Sequence, residues 1–584
     1  MRNSLPIRAA AFVIILLHSC VFAQKSEIVS EQIGQKLDQY LTRCVPFGFS
    51  GAVLAAVDGN IVLNKGYGLA DRAKSILNSS ETVFPVGSIT KQFTAAGILK
   101  LEMMGKLNTS DLITKYIKNV PGDKTTITLH NLLTHTSGII ENTGLDFEEV
   151  SREEMIKRIL IAPLQFKPGT EFGYSNAGYS LLAGIIEIVS EQSYESFLYE
   201  NLFKPAGMEL TGYRRPDWSK KTIAHCYVGE RDNGTVLGRP YPHWNYIGNG
   251  GILSTTSDMY KWHIALMGES VLSNEAKKKF YTPFLNDYAY GWDNLQTDYG
   301  TVIQHDGGST LGYNAEFRRY IDADVVTLVL SNQFYNTAPL FEAVRDKIEL
   351  LAFGGSVPIA PPVYPSSDAA LQKFTGTYKL PSGSTIEVTI ENHALVFRPE
   401  NEQNAINALF FQEEKNANIT SELNAQTKKI FSEFLNNNYL PLKQAIADSN
   451  RFNRFVRTWN QGTAEKRTMI DGIITLPSPD VNRKIFLTTV PFQREGINPV
   501  PSSSFWLSVL WENNAIIGFE IQPYARASVN SMSFQLWSGE TEFAGYHIST
   551  ARNVRAAFIL TPDGKVTSIR FPTQNRDVVA EKVR

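Results

Sequence analysis

Ser88 and Lys91 stand three residues apart in "PVGSITKQFTAAGILKLEMMGKL". In a helix, positions i and i+3 share a face, so this spacing can bring a hydroxyl and an amine together. A serine hydroxyl needs a base before it attacks anything, and an exposed lysine, with a pKa of roughly 10.4, is protonated near neutrality. Burial disfavours the ammonium form and lowers that pKa, which makes Ser-Lys a workable nucleophile and base. Phe93, Ala96, Leu99 and Met103 recur at helical spacing and predict that the helix packs inside. Its N-terminus would add main-chain N–H groups and positive potential beside Ser88. Taken alone, S-x-x-K is more commonly a capping serine followed by a surface lysine.

Two further groups follow in order. "FKPGTEFGYSNAGYSLL" places Tyr174 and Asn176 two apart just before an apolar helix, and "QHDGGSTLGYN" places His305 on a predicted strand followed by Asp306, Gly307 and Gly308. Together the three groups resemble the serine β-lactamase and penicillin-binding-protein superfamily. The similarity is greatest to its class C-like serine hydrolases, which include D-Ala-D-Ala carboxypeptidases, D-aminopeptidases and esterases. The motifs of that superfamily are S-x-x-K, Y-x-N and K-T-G or H-x-G, in that order. "ITLHNLLTHTSGI", "NLFKPAGMELTGY", "GNGGILSTTSDMYKW" and "YAYGW" also resemble its connecting segments, so the similarity spans residues 35 to 350.

The resemblance implies that Ser88 is the acylated nucleophile and Lys91 its base. Tyr174 would carry a proton between nucleophile and leaving group, and the Asn176 amide would bind the substrate, with His305 and Gly307 on the substrate-binding strand. The main-chain N–H groups of Ser88 and Gly308 would form the oxyanion hole, since a tetrahedral oxyanion needs donors where charge develops and a glycine lets substrate approach closely. No metal or organic cofactor is implied. His305 stands where β-lactamases and D-Ala-D-Ala peptidases usually have lysine. Lysine carries a permanent charge suited to a substrate carboxylate, whereas histidine is mostly neutral near pH 7. The expected activity is therefore hydrolysis of a D-amino-acid peptide or ester in preference to a β-lactam. The alternative is a slowly deacylating sensor, or a protein that binds peptidoglycan fragments.

These residues need a scaffold, and the implied fold class is α+β. Residues 30–355 would form a β-lactamase/transpeptidase-like domain, an antiparallel sheet flanked by helices with a helical subdomain. "GAVLAAV" and "NIVLNKGYG" flank Asp58-Gly59 as a hairpin, and "VIQHDGG" and "VVTLVLSNQ" read as buried strands. "GGSVPIAPPVYPSS" is dense in Gly, Pro and Ser, which puts a linker at 356–370. Strand-like alternation at 371–414 and 528–576 suggests a small β-barrel, interrupted by an α+β insertion at 415–527, and these segments resemble the lipocalin-like barrel that follows the hydrolase domain in some members of the superfamily. Asp563-Gly564 marks a hairpin near its end.

At 584 residues the chain is too long for one ordinary core. A net charge of -2 argues against a nucleic-acid partner, leaving a small-molecule or peptide substrate. Arg2 and Arg8, the apolar "AAAFVIILL" and the "VFAQ" cleavage site read as a signal peptide at 1–23, so the expected location is secreted or periplasmic. Cys20 in "LLHSC" gives a weaker lipoprotein reading. The apolar run falls short of the roughly 20 residues of a membrane span, and no later one is seen. Cys44 and Cys226 would remain after cleavage, and spacing does not say whether they pair. His130 and His135 in "LHNLLTHTSG" lack a carboxylate at ligand spacing and read as structural hydrogen-bonding residues. Tyr241, Trp244 and Tyr246 fit either a cleft wall or a packed loop, and Asn78 and Asn418 match the short glycosylation pattern.

Overall fold

The computed structural model describes residues 27–583 except 230, 335–338, 382, 384, 392, 400–416, 447–451, 453–454, 457–458, 460–466, 470–472, 478–484, 495–503, 524–531, 548–551 and 573–576. The expected signal peptide, and Cys20 with it, lies outside the described residues.

Seven strands form the first sheet: β1 (Ile28–Val29), β2 (Gly51–Val57), β3 (Asn60–Tyr67), β4 (Asp293–Thr297), β5 (Gly300–Gly308), β6 (Asn314–Tyr320) and β7 (Val325–Ser331). Their order is β1-β3-β2-β7-β6-β5-β4, and every neighbouring pair is antiparallel. Asp58 and Gly59 both take positive φ, 49° and 72°, at the β2–β3 turn, the backbone form a two-residue hairpin needs.

Side chains alternate across a strand, so β2 divides its residues between two cores. Ala52, Leu54 and Ala56 enter the larger one, with α2 (Thr90–Met103) and α4 (Asn176–Ser190), the latter following the short α3 (Leu129–Leu133). Val53 and Ala55 face α1 (Glu31–Cys44) and α5 (Pro339–Ala352). Because both faces are covered, β2 and β7 read as continuous apolar runs. Helix α2 is buried on nearly all sides from Thr90 to Leu99. Met103, expected inside, is 44% exposed because the last turn emerges from the core. Cys44 and Cys226 are both buried and both free.

The C-terminal half holds an eight-stranded barrel and a second sheet. The barrel uses β8 (Gly376–Lys379), β9 (Thr385–Glu391) and β10 (Ala394–Pro399), then, beyond the second sheet, β16 (Met532–Ser538), β17 (Glu542–His547), β18 (Arg552–Leu560), β19 (Val566–Phe571) and β20 (Val578–Lys582). Pairing of β8 with β20 closes it. Between β10 and β16 come α6 (Ala417–Leu435) and the strands β11 (Arg467–Met469), β12 (Ile474–Pro477), β13 (Ile485–Arg494), β14 (Ser504–Glu512) and β15 (Ala515–Pro523). Leu423, Phe431 and Phe434 of α6 pack on this sheet with Val490, Val509 and Trp511. The barrel core is filled by Phe374, Tyr378, Phe397, Phe543, Phe558 and Phe571, all buried. The barrel rests against the chain just beyond α1, in the core on the α1 and α5 face of the first sheet, where the Tyr546 ring lies 5.8 Å from that of Phe47 and its hydroxyl donates to the Pro358 carbonyl at 2.8 Å.

Candidate active site

Ser88 occupies the 3₁₀ turn Gly87–Ile89, which runs directly into α2. This turn packs backbone to backbone against the end of β5. A Cβ at Gly87, where φ is 54°, would lie 2.6 Å from the Gly308 carbonyl oxygen, and one at Gly307 would lie 2.1 Å from that of Val86. Only glycine permits such an approach. Pairing of β4 with β5 stops at Gln304, while β6 pairs with β5 as far as Gly308. From His305 onward, β5 therefore turns an edge free of strand pairing toward the serine turn.

Lys91, one turn into α2, is fully buried. Its Nζ donates to Ser88 Oγ at 3.0 Å, to Asn176 Oδ1 at 2.7 Å and to the Asn249 carbonyl at 2.7 Å. Burial pulls its pKa down to about 7, against the opposing pull of the Asp306, Glu141 and Asp146 carboxylates. As a neutral amine, Lys91 would give its two hydrogens to the two carbonyl oxygens. Its lone pair is then left for the Ser88 hydroxyl proton.

Tyr174 and Asn176 sit where an extended segment enters α4. Ser175 caps that helix, its Oγ accepting from the Gly178 N–H. Tyr174 is half-buried, its hydroxyl lies close enough to Ser88 to interact with it, and Lys91 Nζ lies 4.7 Å from its ring centroid. Burial raises its pKa well above the usual phenol value, so it carries its proton through the neutral range. Asn176 turns its amide nitrogen to Asn142 Oδ1 at 2.9 Å while its oxygen holds Lys91.

His305 lies near this group, its ring centroid 6.5 Å from that of Tyr174. Its Nδ1 donates to the Asp306 carbonyl at 2.6 Å and its Nε2 accepts from the Tyr288 hydroxyl at 3.0 Å, so both ring nitrogens are engaged by the protein itself. Burial, assisted by Lys91, lowers its pKa and keeps it neutral. A Cβ at Gly308 would meet nothing within 4 Å, so this end of β5 borders open space. The structure thus brings Ser88, Lys91, Tyr174, Asn176, His305, Gly307 and Gly308 together.

Asn249, Tyr288 and His135 also belong here, although the sequence did not single them out for this site. Asn249 contributes only its carbonyl, aimed at Lys91 while its side chain donates to Ser180 Oγ at 2.8 Å. Tyr241 and Tyr246 prove to be core residues, and Trp244 packs against the same core. His130 pairs with the Tyr290 hydroxyl at 2.8 Å. Asn78 is buried, its amide nitrogen donating to Ser50 Oγ and the Tyr67 carbonyl, so it offers no glycosylation acceptor in the folded chain. Among the described residues, no His, Cys, Asp or Glu cluster is placed to hold a metal, and no helix is long and apolar enough to cross a membrane.

Residues 46–351 match the Beta-lactamase family. The chain is 38% identical over 268 residues to the putative penicillin-binding protein PbpX of Bacillus subtilis, covering 45% of this chain and 66% of that protein. It is 30% identical over 380 residues to penicillin-binding protein 4* of the same organism, covering 59% and 83%. The octameric penicillin-binding protein homologue from Pyrococcus abyssi aligns over 94% of this chain and all of its own, with 18% identity and a TM-score of 0.50, a likeness of fold. Matched across more than half its length and with most of a 30% identical relative covered, this chain belongs to the Beta-lactamase family of serine hydrolases.

Proposed function

We propose that the protein is an exported hydrolase that forms an acyl-enzyme at Ser88 and cleaves an amide or ester carbonyl, a D-amino-acid peptide or ester in preference to a β-lactam. The observation that carries this reading is the buried Lys91 amine, held between Ser88 Oγ and two carbonyl oxygens. Ser88 Oγ attacks the carbonyl carbon as its proton passes to Lys91. The developing oxyanion takes the main-chain N–H groups of Ser88 and Gly308. Tyr174, beside Ser88 and still protonated, gives its proton to the leaving group as the tetrahedral intermediate collapses and is reprotonated by the proton held on Lys91, which leaves Lys91 again a free base. Water then attacks the ester by the reverse route and frees Ser88. Asn176 orients the acyl side of the substrate, and His305 with Gly307 forms the strand edge along which the substrate lies.

Two features support the preference among substrates. His305 is neutral where a charged lysine would attract a carboxylate. Asp306, Glu141 and Asp146 all lie close enough to act on Lys91, and they oppose a negatively charged substrate. Peptidoglycan fragments whose free carboxylate lies away from the cleaved bond fit this field better than those ending in it. The N-terminal segment supports a secreted or periplasmic location, where such substrates occur.

Intact mass of the mature protein, beside Ser88→Ala, tests the reading after brief exposure to a short-chain aryl ester, a D-Ala-D-Ala peptide and a cephalosporin. A Ser88-dependent acyl adduct, fastest with the ester, is expected. An adduct that persists in Ser88→Ala would overturn the assignment.

A further inference from the structure

We infer that His135 is a positioning residue for Tyr174, fixing the backbone that aims the tyrosine hydroxyl at Ser88; this rests on the reading of Tyr174 as the proton carrier. The segment that bears Tyr174 and Asn176 has little regular structure of its own and is laid against residues 135–141. Gln165 donates to the Gly138 carbonyl at 2.7 Å, Gly169 to that of Thr136 at 2.7 Å, and Ala177 to that of Glu141 at 2.9 Å. Ser175 Oγ donates to the Ile140 carbonyl at 2.8 Å. Within this seam His135 takes both amides that flank Tyr174. The Gly173 N–H donates to its carbonyl at 2.8 Å and the Ser175 N–H to its Nδ1 at 3.0 Å. Its ring lies against the tyrosine ring, with centroids 4.2 Å apart and planes at 38°.

Two features separate this histidine from ordinary core filling. Its φ is 55°, a left-handed conformation uncommon for a residue with a side chain. It is also fully buried, and its Nε2 has no hydrogen-bond partner among the described residues. An apolar side chain would leave no such orphaned group. What histidine adds is the Nδ1 acceptor. Burial, together with the nearby Lys91 and His305, keeps the imidazole neutral, so the Nδ1 lone pair stays available to Ser175.

Two variants of the full-length protein test this. His135→Asn keeps an oxygen near the Nδ1 position and tolerates positive φ. His135→Gly keeps the carbonyl and the backbone freedom but removes acceptor and ring. The readouts are the acylation rate constant and KM with the aryl ester, and hydrogen exchange by mass spectrometry on peptides covering residues 170–178. The asparagine variant is expected to acylate within about threefold of wild type with its Ser175 amide still protected. The glycine variant should lose about a hundredfold in acylation rate at little cost in KM, the scale expected when a reacting group is displaced by about 1 Å, and should exchange that amide faster. Equal losses in both variants, or a glycine variant that acylates like wild type, would overturn the inference. If the glycine chain does not fold, a hundredfold loss in the asparagine variant overturns it and near-wild-type acylation supports it. Should wild type itself form no Ser88 adduct, the proposed function fails, and unchanged Ser175 exchange in the variants then overturns the clamp as well.

Discussion

Lys91 Nζ lies 2.7 Å from the main-chain carbonyl oxygen of Asn249, 158 residues away along the chain. That carbonyl and Asn176 Oδ1 account for both hydrogens of a neutral amine, so the site is built for the deprotonated lysine as well as for the ammonium. Burial supplies the driving force that brings the pKa to about 7. The lysine therefore changes charge in the range where the enzyme would work.

Acylation should follow the deprotonated fraction of Lys91. The rate constant is expected to rise with pH, to stand at half its plateau near pH 7, and to fall about tenfold per unit well below that. Asp306→Asn removes a carboxylate that favours the ammonium, so the midpoint should move to lower pH. Asp306 is exposed, so that displacement should shrink as salt is added. Stopped-flow acylation from pH 5 to 9 measures both; a midpoint that stays put in the variant at low salt would rule out this electrostatic coupling.

The same lysine should leave a mark on stability. Its folded pKa, about 7, lies below the unfolded value of 10.5. Between those values the unfolded chain holds a proton that the folded chain has lost, so stability rises with pH across that window, and below it the full cost of burying the charge is felt. Urea unfolding of wild type and Lys91→Met at pH 6, 7, 8 and 9 should show wild type gaining on the variant above pH 7, by up to about 1.4 kcal/mol per unit. A difference independent of pH would mean that the lysine does not titrate there.

Much of this site was legible in the sequence because its chemistry restricts residue type. A nucleophile with a buried amine base requires something like Ser88 and Lys91 one turn apart, and the glycines at 307 and 308 mark a strand that another backbone must approach. Asp58-Gly59 likewise exposed its hairpin, since few residues accept positive φ. Asn249 was hidden because it works through a carbonyl that every residue possesses. Tyr288 and His135 act through contacts made only in the folded chain, and nothing in "YAYGW" or "LTHTSG" says which partner each will meet. Tyr241 and Tyr246 left a cleft wall and a packed surface loop both open because an aromatic suits either; in the folded chain they are buried in the main core.

Substrate charge can be tested at the three carboxylates. Combining Asp306→Asn, Glu141→Gln and Asp146→Asn should raise kcat/KM for a D-Ala-D-Ala peptide relative to an uncharged aryl ester, and the gain should diminish with salt. Asparagine at 146 can still accept from Thr310 Oγ1, which Asp146 holds at 3.0 Å. An unchanged ratio of the two activities would remove electrostatics as the source of preference.

The barrel should matter to stability more than to chemistry. Tyr546 is buried between Phe47 and the Pro358 carbonyl, far along the chain from every residue of the site. Tyr546→Ala should cost about 3 to 4 kcal/mol in unfolding while leaving the acylation rate constant unchanged. A parallel fall in acylation would show that barrel docking is coupled to Ser88. The filled barrel core also predicts no saturable uptake of a fluorescent fatty acid, because Phe374, Phe543 and Phe558 occupy the space with ring centroids 4.6 to 5.5 Å apart.

Gly87 and Gly308 touch, yet they should answer the same substitution differently. An alanine at 87 must hold φ at 54° and place its methyl 2.6 Å from the Gly308 carbonyl oxygen, so backbone on one side has to yield. Gly87→Ala should therefore lower the unfolding temperature and pull β5 away from Ser88, removing acylation of every ester tested. An alanine at 308 meets nothing within 4 Å, and its φ lies outside the left-handed range. Gly308→Ala should leave thermal unfolding unchanged and discriminate by size, slowing bulky acyl groups more than acetyl, since the methyl projects into the space the substrate needs. Melting curves and a series of aryl esters of increasing acyl length separate the two effects; equal slowing of all esters by Gly308→Ala would mean that this end of β5 does not border the acyl site.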